Sequence, residues 1–463
     1  MRILVFIILL SIGAVFGCEM PPGQWYSHDK AVLEKQLNDW LFASDNKKIP
    51  QNIKGLFWLV VPHAGYTFSG SYAAAGYAYF LSAREIDKVI LIAPLHSSDS
   101  HSLYVPSCSS ITTILGDLSL KVLPGFSQAR LPQEHAFGNQ LPFLYKLGKP
   151  VYPLFVGHAS ENDLLAAAMM LKEHVNEHTL IVVSSDLSHV GKRFNVSIAL
   201  PQATVDQRVI DAIKKIDILS LEKAYKDTGS SVCGIQPLRL LLMLLQHLPL
   251  ITYQSEQIAY ATSDQLAKDT NGSVGYGVVA GNGVLWQLPV QEQQKIIKYI
   301  GDYFTYLLTK RGQPPLLETT ADMLPFPYGV FVTVRNGEAL RGCLGTLDAQ
   351  QLTFSDQLKQ KINDLADGKD SRFEQLSAQE LPDLRYEVSV LMPPRLTSYE
   401  SFYIHDGIIL KKDGRSALYL PEVIVEAGWD KKTGLEQLSK KAGLDAHAWK
   451  IARLEAITSF LIR

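Results

Sequence analysis

From residue 55 to residue 281, short apolar runs alternate with longer segments of mixed polarity. The run G-L-F-W-L-V-V at 55–61 has no polar position and reads as a strand buried on both faces. Residues 88–93, 151–156 and 179–183 repeat that pattern. Between them, 71–81 (rich in Ala and Tyr) and 161–174 carry helical spacing, as do 206–213 and 235–247. Residues 251–254 and 274–279 read as late strands. Continuous apolar strands separated by helices predict an α/β domain with its sheet covered on both faces.

The pattern changes after 281. Glycines and Pro289 close the first unit, 291–310 is an amphipathic helix, and 311–328 is a Pro-rich polar connection. A strand at 329–334, the turn Asn336-Gly337, a strand at 384–392 and helices at 422–427 and 435–442 predict a smaller α+β domain. The expected division is a leader at 1–17, a first domain at 18–285 and a second at 286–463. The chain has 463 residues, 47% apolar and 19% charged, which is globular rather than disordered composition. Its net charge of -2 lacks the basic excess of nucleic-acid binders, so no nucleic-acid partner is expected.

Arg2, an apolar run at 3–16 and Gly17-Cys18 form an export signal too short for a comfortable membrane span. Val15-Phe16-Gly17-Cys18 resembles the lipobox of bacterial lipoproteins, with bulky Phe16 where a smaller residue is usual. The chain is therefore expected outside the cytoplasm, in the envelope or periplasm. Its membrane contact would be a lipid on Cys18 or the signal segment alone. The four cysteines are Cys18, Cys108, Cys233 and Cys343. None forms a CxxC pair, and an exported chain permits disulfides, which would remove Cys108 or Cys233 from other chemistry.

Four polar residues follow predicted strands: His63, His96, Asp186 and His189. In an open α/β sheet ligands bind beyond the carboxyl ends of the strands, so the loops carrying these residues can converge. Imidazole and carboxylate suit iron, zinc or copper, and two histidines with one carboxylate would match a facial triad. Cys233 is a further ligand candidate. Glu134 and His135 are candidates for proton transfer or for support of a ligand. The plainer alternatives are hydrogen-bonded histidines, Asp186 as a helix cap, and Cys233 as an inert buried thiol.

Pro62-His-Ala-Gly-Tyr-Thr-Phe-Ser-Gly70 resembles the first signature of the Memo family. Ala93-Pro-Leu-His96, Glu134-His135 with Gln140-Leu-Pro-Phe-Leu144, Ser184-Ser-Asp-Leu-Ser-His-Val-Gly191 and Ser231-Val-Cys-Gly234 follow that family's order. The resemblance implies a fold like that of the class III extradiol ring-cleaving dioxygenases. It implies His63, His96 and Cys233 as metal ligands, with iron or copper as the metal. It implies His135, Asp186 and His189 as catalytic pocket residues. Gly138, where the family usually has Glu, and Leu95, in place of a small polar residue, depart from the pattern.

Leu340-Arg-Gly-Cys-Leu-Gly345 resembles the signature of the AMMECR1 family, and Arg372-Phe373, 384–394, 407–410 and Glu426-Ala-Gly-Trp429 fit it as well. The fusion resembles proteins A and B of the AmmeMemoRadiSam system in one chain, which implies a radical-SAM partner. Arg341 between glycines is a candidate anion cradle. The plainer reading of 340–345 is a tight turn with a buried thiol. For the whole chain the leading expectation is a metal-dependent, dioxygenase-like oxidoreductase acting on a small molecule. The alternative is a non-catalytic metal- or partner-binding module. Zinc-dependent hydrolysis stands below both, because neither HExxH nor GxSxG is present.

Overall fold

A computed structural model of the chain describes residues 17–20, 23–43, 55–83, 85–96, 103–267, 271–286, 288–323, 329–347, 352–399, 401–421 and 423–463. The expected leader, except Gly17, lies outside the described residues. No described helix is long and apolar enough to cross a membrane. The chain divides into two compact units. The first runs to Gln246 and includes Thr252–Val284; the second comprises His247–Ile251 and Leu285–Arg463.

The first unit is α/β. Leu56–Val61, Thr179–Ser184, Lys88–Pro94 and Val151–Val156 lie side by side in parallel at the centre of a sheet of nine described strands. Every residue of Leu56–Val61 and of Thr179–Ser184 is buried. That burial explains their unbroken apolar runs, since a strand covered on both faces has no polar side to alternate with. Ser273–Leu285 joins antiparallel beside Leu56–Val61, and Leu250–Thr262 pairs with it in turn. These two strands span 13 residues each, far beyond 251–254 and 274–279. Their polar and glycine positions hide the strand signal. Gly281 is where the Trp58 ring presses against the strand: a Cβ there would stand 2.2 Å from the indole.

A small three-stranded sheet contains Gly17–Glu19, Ser110–Thr112 and Asp117–Ser119. Beside it Cys18 Sγ is bonded to Cys108 Sγ. A sulfur in that bond cannot also carry the thioether of a lipid anchor, so the two fates of Cys18 exclude each other. Cys233 and Cys343 remain as thiols.

The second unit is α+β. One antiparallel sheet has the order Ala339–Gly345, Val330–Asn336, Leu384–Leu391, Ser459–Ile462. Val330, Val332, Val334, Val388 and Val390 on one face pack into a core with the helices Val290–Thr309 and Phe354–Ala366. Phe354, Leu358, Ile362, Leu365 and Ala366 form the buried stripe of the second helix at regular helical spacing, with Gln357 and Lys361 buried at its border. A second antiparallel sheet, Arg395–Thr397, Arg453–Ile457, Gly407–Lys412 and Arg415–Tyr419, packs on the helix Lys431–Lys441.

Residues 340–345 are strand, not a turn. The turn lies just before them at Gly337, with φ +58°. The glycines of this strand give room rather than curvature: a Cβ at Gly345 would stand 2.2 Å from the Phe331 ring, and one at Gly342 2.8 Å from Leu365. Arg341 does not cradle an anion here. Its guanidinium lies 2.7 Å from Glu380, and that partner pulls the Glu380 carboxyl down to about 2.

Candidate metal centre

The adjacent parallel strands Leu56–Val61, Thr179–Ser184 and Lys88–Pro94 end at one edge of the sheet. The loops after them carry His63, Asp186 with His189, and His96. The short helix His135–Gly138 brings His135 to the same place, capped by Glu134, whose side chain accepts from the Ala136 N–H. Cys233 arrives in the turn before the helix Ile235–His247, where the Gly234 N–H donates to Ser185 Oγ at 3.2 Å.

Two groups of donor atoms form there, and His63 belongs to both. His63, His96 and His135 make one; His63, Asp186 and Cys233 make the other. Within each, the ligand atoms lie within 4.8 Å of one another. His63 and Asp186 are buried, His135 and Cys233 half-buried, and His96 exposed. His189 belongs to neither group, although its charge acts on both His63 and Asp186.

The hydrogen bonds fix which nitrogen each imidazole presents. Ser184 Oγ donates to the Ala136 carbonyl at 2.6 Å, so its oxygen can only accept from His63 Nδ1 at 2.9 Å and from Gln140 Nε2 at 3.1 Å. His63 is therefore protonated on Nδ1. Its Nε2 lone pair faces Cys233 Sγ, 3.1 Å away. Burial and the neighbouring histidines hold the His63 pKa well below its ordinary value, which keeps that lone pair free of a proton.

Glu134 does the same for the other two rings. Its carboxylate lies 2.9 Å from His96 Nδ1 and 3.0 Å from His135 Nδ1, and it accepts the His96 N–H at 2.7 Å. Burial pushes the Glu134 carboxyl up. The hydrogen bonds from His135 and His96, the His96 charge and the Ala136 N–H outweigh it and hold the group well below the usual carboxylate range. A carboxylate on Nδ1 leaves Nε2 to bind and raises its basicity, an arrangement common behind metal-bound histidines. The His96 and His135 rings stack at 4.7 Å, and Trp25 stacks on His135 at the same separation.

Asp186 is not a helix cap. It accepts the His63 N–H at 2.8 Å and so ties two strand-end loops together. Burial raises its pKa against the His189 charge and this hydrogen bond. Burial and the Asp186 charge raise the Cys233 thiol well above its ordinary value, so a metal taking this sulfur displaces a proton. His189 Nδ1 faces two carbonyls, Leu187 at 3.1 Å and Ser231 at 3.0 Å. That makes Nδ1 the protonated nitrogen and leaves Nε2 as a base.

With all three Nδ1 atoms of His63, His96 and His135 engaged and a half-buried thiol against a neutral imidazole, the donor set fits a transition-metal ion with mixed nitrogen, sulfur and oxygen preference. Ser184, Gln140 and Trp25 have no role in the sequence-based expectation. The first two stand inside the quoted motifs and follow from asking what orients each imidazole. Trp25 is distant in sequence and carries no local signal.

A family model described as Memo-like protein matches residues 21–280, more than half of the chain. The chain belongs to the Memo-like protein family. A model described as AMMECR1 matches residues 299–460, so the Memo-like domain is followed by an AMMECR1 domain. The Memo-like domain is similar to the memo-1 homolog of Caenorhabditis elegans, 26% identical over 295 residues that cover 58% of this chain and 81% of the relative. A MEMO1 family protein of Methanosarcina acetivorans is 28% identical over 272 residues, covering 56% of this chain and 96% of the relative. Among solved structures, an uncharacterized protein, PH0010, of Pyrococcus horikoshii shares 27% identity. It covers 38% of this chain and 93% of its own, with a TM-score of 0.34, too low to bear on the fold.

Proposed function

We propose that the Memo-like domain is a metal-dependent oxidoreductase of dioxygenase type acting on a small aromatic or related molecule. The observation that carries this reading is that one ligand atom each of His63, His96 and His135 lies within 4.8 Å of the others, with the Glu134 carboxylate behind His96 and His135 and Ser184 behind His63. The expected ligands His63, His96 and Cys233 fall in two groups that share His63, so His63 would hold the metal with His96 and His135, and Cys233, grouped with His63 and Asp186, would reach it from the other side of His63; mixed imidazole and thiolate ligation favours iron or copper, with zinc a lesser choice. Such a metal supplies one-electron and O₂ chemistry. Asp186 positions the His63 loop. His189, with Nδ1 held by two carbonyls, accepts or returns a substrate proton at Nε2. His135, stacked under Trp25, borders the same space.

Metal content of protein purified anaerobically, without an affinity metal, tests this reading against His63→Ala. About one iron or copper per chain, lost in the variant, followed by substrate-dependent O₂ uptake, supports it. Stoichiometric metal without turnover of any aromatic class would favour the non-catalytic binding module instead.

A further inference from the structure

The sheet of the second unit has two unlike faces. Its valines face the helical core. The alternate residues Phe331, Thr333 and Arg335, with Cys343 and Glu387, border a cavity of about 660 Å³. Register places Thr333 opposite Cys343 on one side and opposite Glu387 on the other, so the three form a row across three strands. The far wall comes from Leu418, Tyr419 and Leu420, the helix at Val423–Glu426 and Lys441. A volume of this size suits a small organic ligand.

The charges in this cavity are unevenly matched. Arg335 is met by Glu387 at 3.5 Å and Glu426 at 3.0 Å, Arg372 by Asp370 at 2.7 Å, and Lys369 by Asp364 at 2.6 Å. Lys441 instead donates to the Leu418 carbonyl at 2.9 Å and lies over the Tyr419 ring. Among the described residues no carboxylate stands within ion-pair distance of it. Partial desolvation and the like charge of Arg372 lower the pKa of this exposed lysine. Cys343 sits within the electrostatic reach of both cations, and its sulfur accepts from Thr333 Oγ1 at 3.3 Å. Phe331, Leu418 and Leu420 supply an apolar wall continuous with the packing of Leu391, Ile409 and Ile457.

We propose that this cavity of the AMMECR1 domain binds a small amphipathic anion, a carboxylate head on a hydrocarbon body. The head lies at Lys441 and Arg372, the body along Phe331, Leu418 and Leu420, and the Cys343 thiol faces the head. A carboxylate there restores the missing counter-charge through charge-assisted hydrogen bonds, and the hydrocarbon removes the apolar wall from water.

Competitive alkylation of the full chain tests it. Iodoacetate and iodoacetamide are matched probes, one anionic and one neutral. In each case the thiolate sulfur bonds to the methylene carbon, iodide leaves with the carbon–iodine pair, and the thiol proton goes to buffer. Mass spectrometry of the Cys343 peptide reads the ratio of the two products, with urea-unfolded protein giving the intrinsic ratio. The folded chain is expected to favour the iodoacetate product about tenfold over the unfolded chain, from focusing of the anion. Octanoate is expected to slow that reaction, and inorganic phosphate at the same concentration to slow it less. Lys441→Met, which keeps the apolar stem, should return the ratio to the unfolded value. Equal ratios in folded and unfolded chains, a Cys343 inert to both probes, or equal protection by phosphate and octanoate would each overturn the proposal. The octanoate arm uses the unmodified protein and stands even if the variant folds poorly.

Discussion

Replacing Glu134 with Gln is the most searching test of the metal centre, because the change keeps shape and removes only charge and one acceptor. Glu134 is 1% exposed and serves four donors: His96 N–H, His96 Nδ1, His135 Nδ1 and the Ala136 N–H. A glutamine oxygen can keep three of them on the Oε1 side. Its NH₂ then faces the His96 N–H across the 2.7 Å now spanned by a hydrogen bond, a donor against a donor. A lost charged hydrogen bond with a buried donor left unmet costs about 1.5–3 kcal/mol. Part of that falls on the fold and part on the metal. Removing a carboxylate behind a ligand weakens metal binding by about 10–100-fold, or about 1.4–2.8 kcal/mol. A competition titration with a chromophoric chelator, using Zn(II) as a redox-silent probe, reads the second part, and the melting temperature of the metal-free proteins reads the first. Ser184→Ala should weaken the metal similarly by freeing the His63 tautomer. A folded Glu134→Gln protein that binds zinc within twofold of wild type would refute the idea that this carboxylate sets the donor geometry.

Three further outcomes follow from the packing. Gly234→Ala places a Cβ 2.3 Å from Ser185 Cβ and 2.9 Å from the Ser184 carbonyl, backbone that cannot step aside, so metal affinity and melting temperature should fall together; retention of both would contradict the fit. In the second unit, buried Asp406 lies 3.1 Å from His247 and 2.6 Å from Arg395. Burial raises its pKa, but the Arg395 charge and the His247 hydrogen bond outweigh that and lower it. The pair therefore stabilises fully above the unfolded value of about 3.9 and is lost as pH falls through the lower folded value. Asp406→Asn should cost about 3 kcal/mol near neutrality, the low end for a broken buried pair because Arg395 keeps some solvent. A denaturant series from pH 7 to pH 2 should show the difference from wild type shrinking only at the acid end. Cys108→Ser opens a bond that spans 90 residues. Loop entropy then predicts a loss of about 4–5 kcal/mol, read as a lower urea midpoint, and an unchanged midpoint would show that the bond constrains little.

Much of this molecule was written in its local pattern. The four central strands and the helices on either side of them are legible because burial on both faces demands unbroken apolar runs, and His63, His96 and Asp186 stand just past the ends of those runs. The ordered motifs around His135, His189 and Cys233 were legible for the same reason that they matter: short polar segments bounded by strand and helix. Tertiary structure alone decided how these residues are grouped. His63 belongs to two donor groups because Cys233, 170 positions away, meets its Nε2, while His189 turns its Nδ1 to two carbonyls. The length of the strands Leu250–Thr262 and Ser273–Leu285 also lay outside the local pattern, since their ladder and the ring of Trp58 hold what propensity does not. The stretch 340–345 reads as a turn from its glycines, yet it is a strand whose glycines make room for Phe331 and Leu365. Local sequence records whether a side chain is wet or dry; which donor it meets depends on chain segments that only folding brings together.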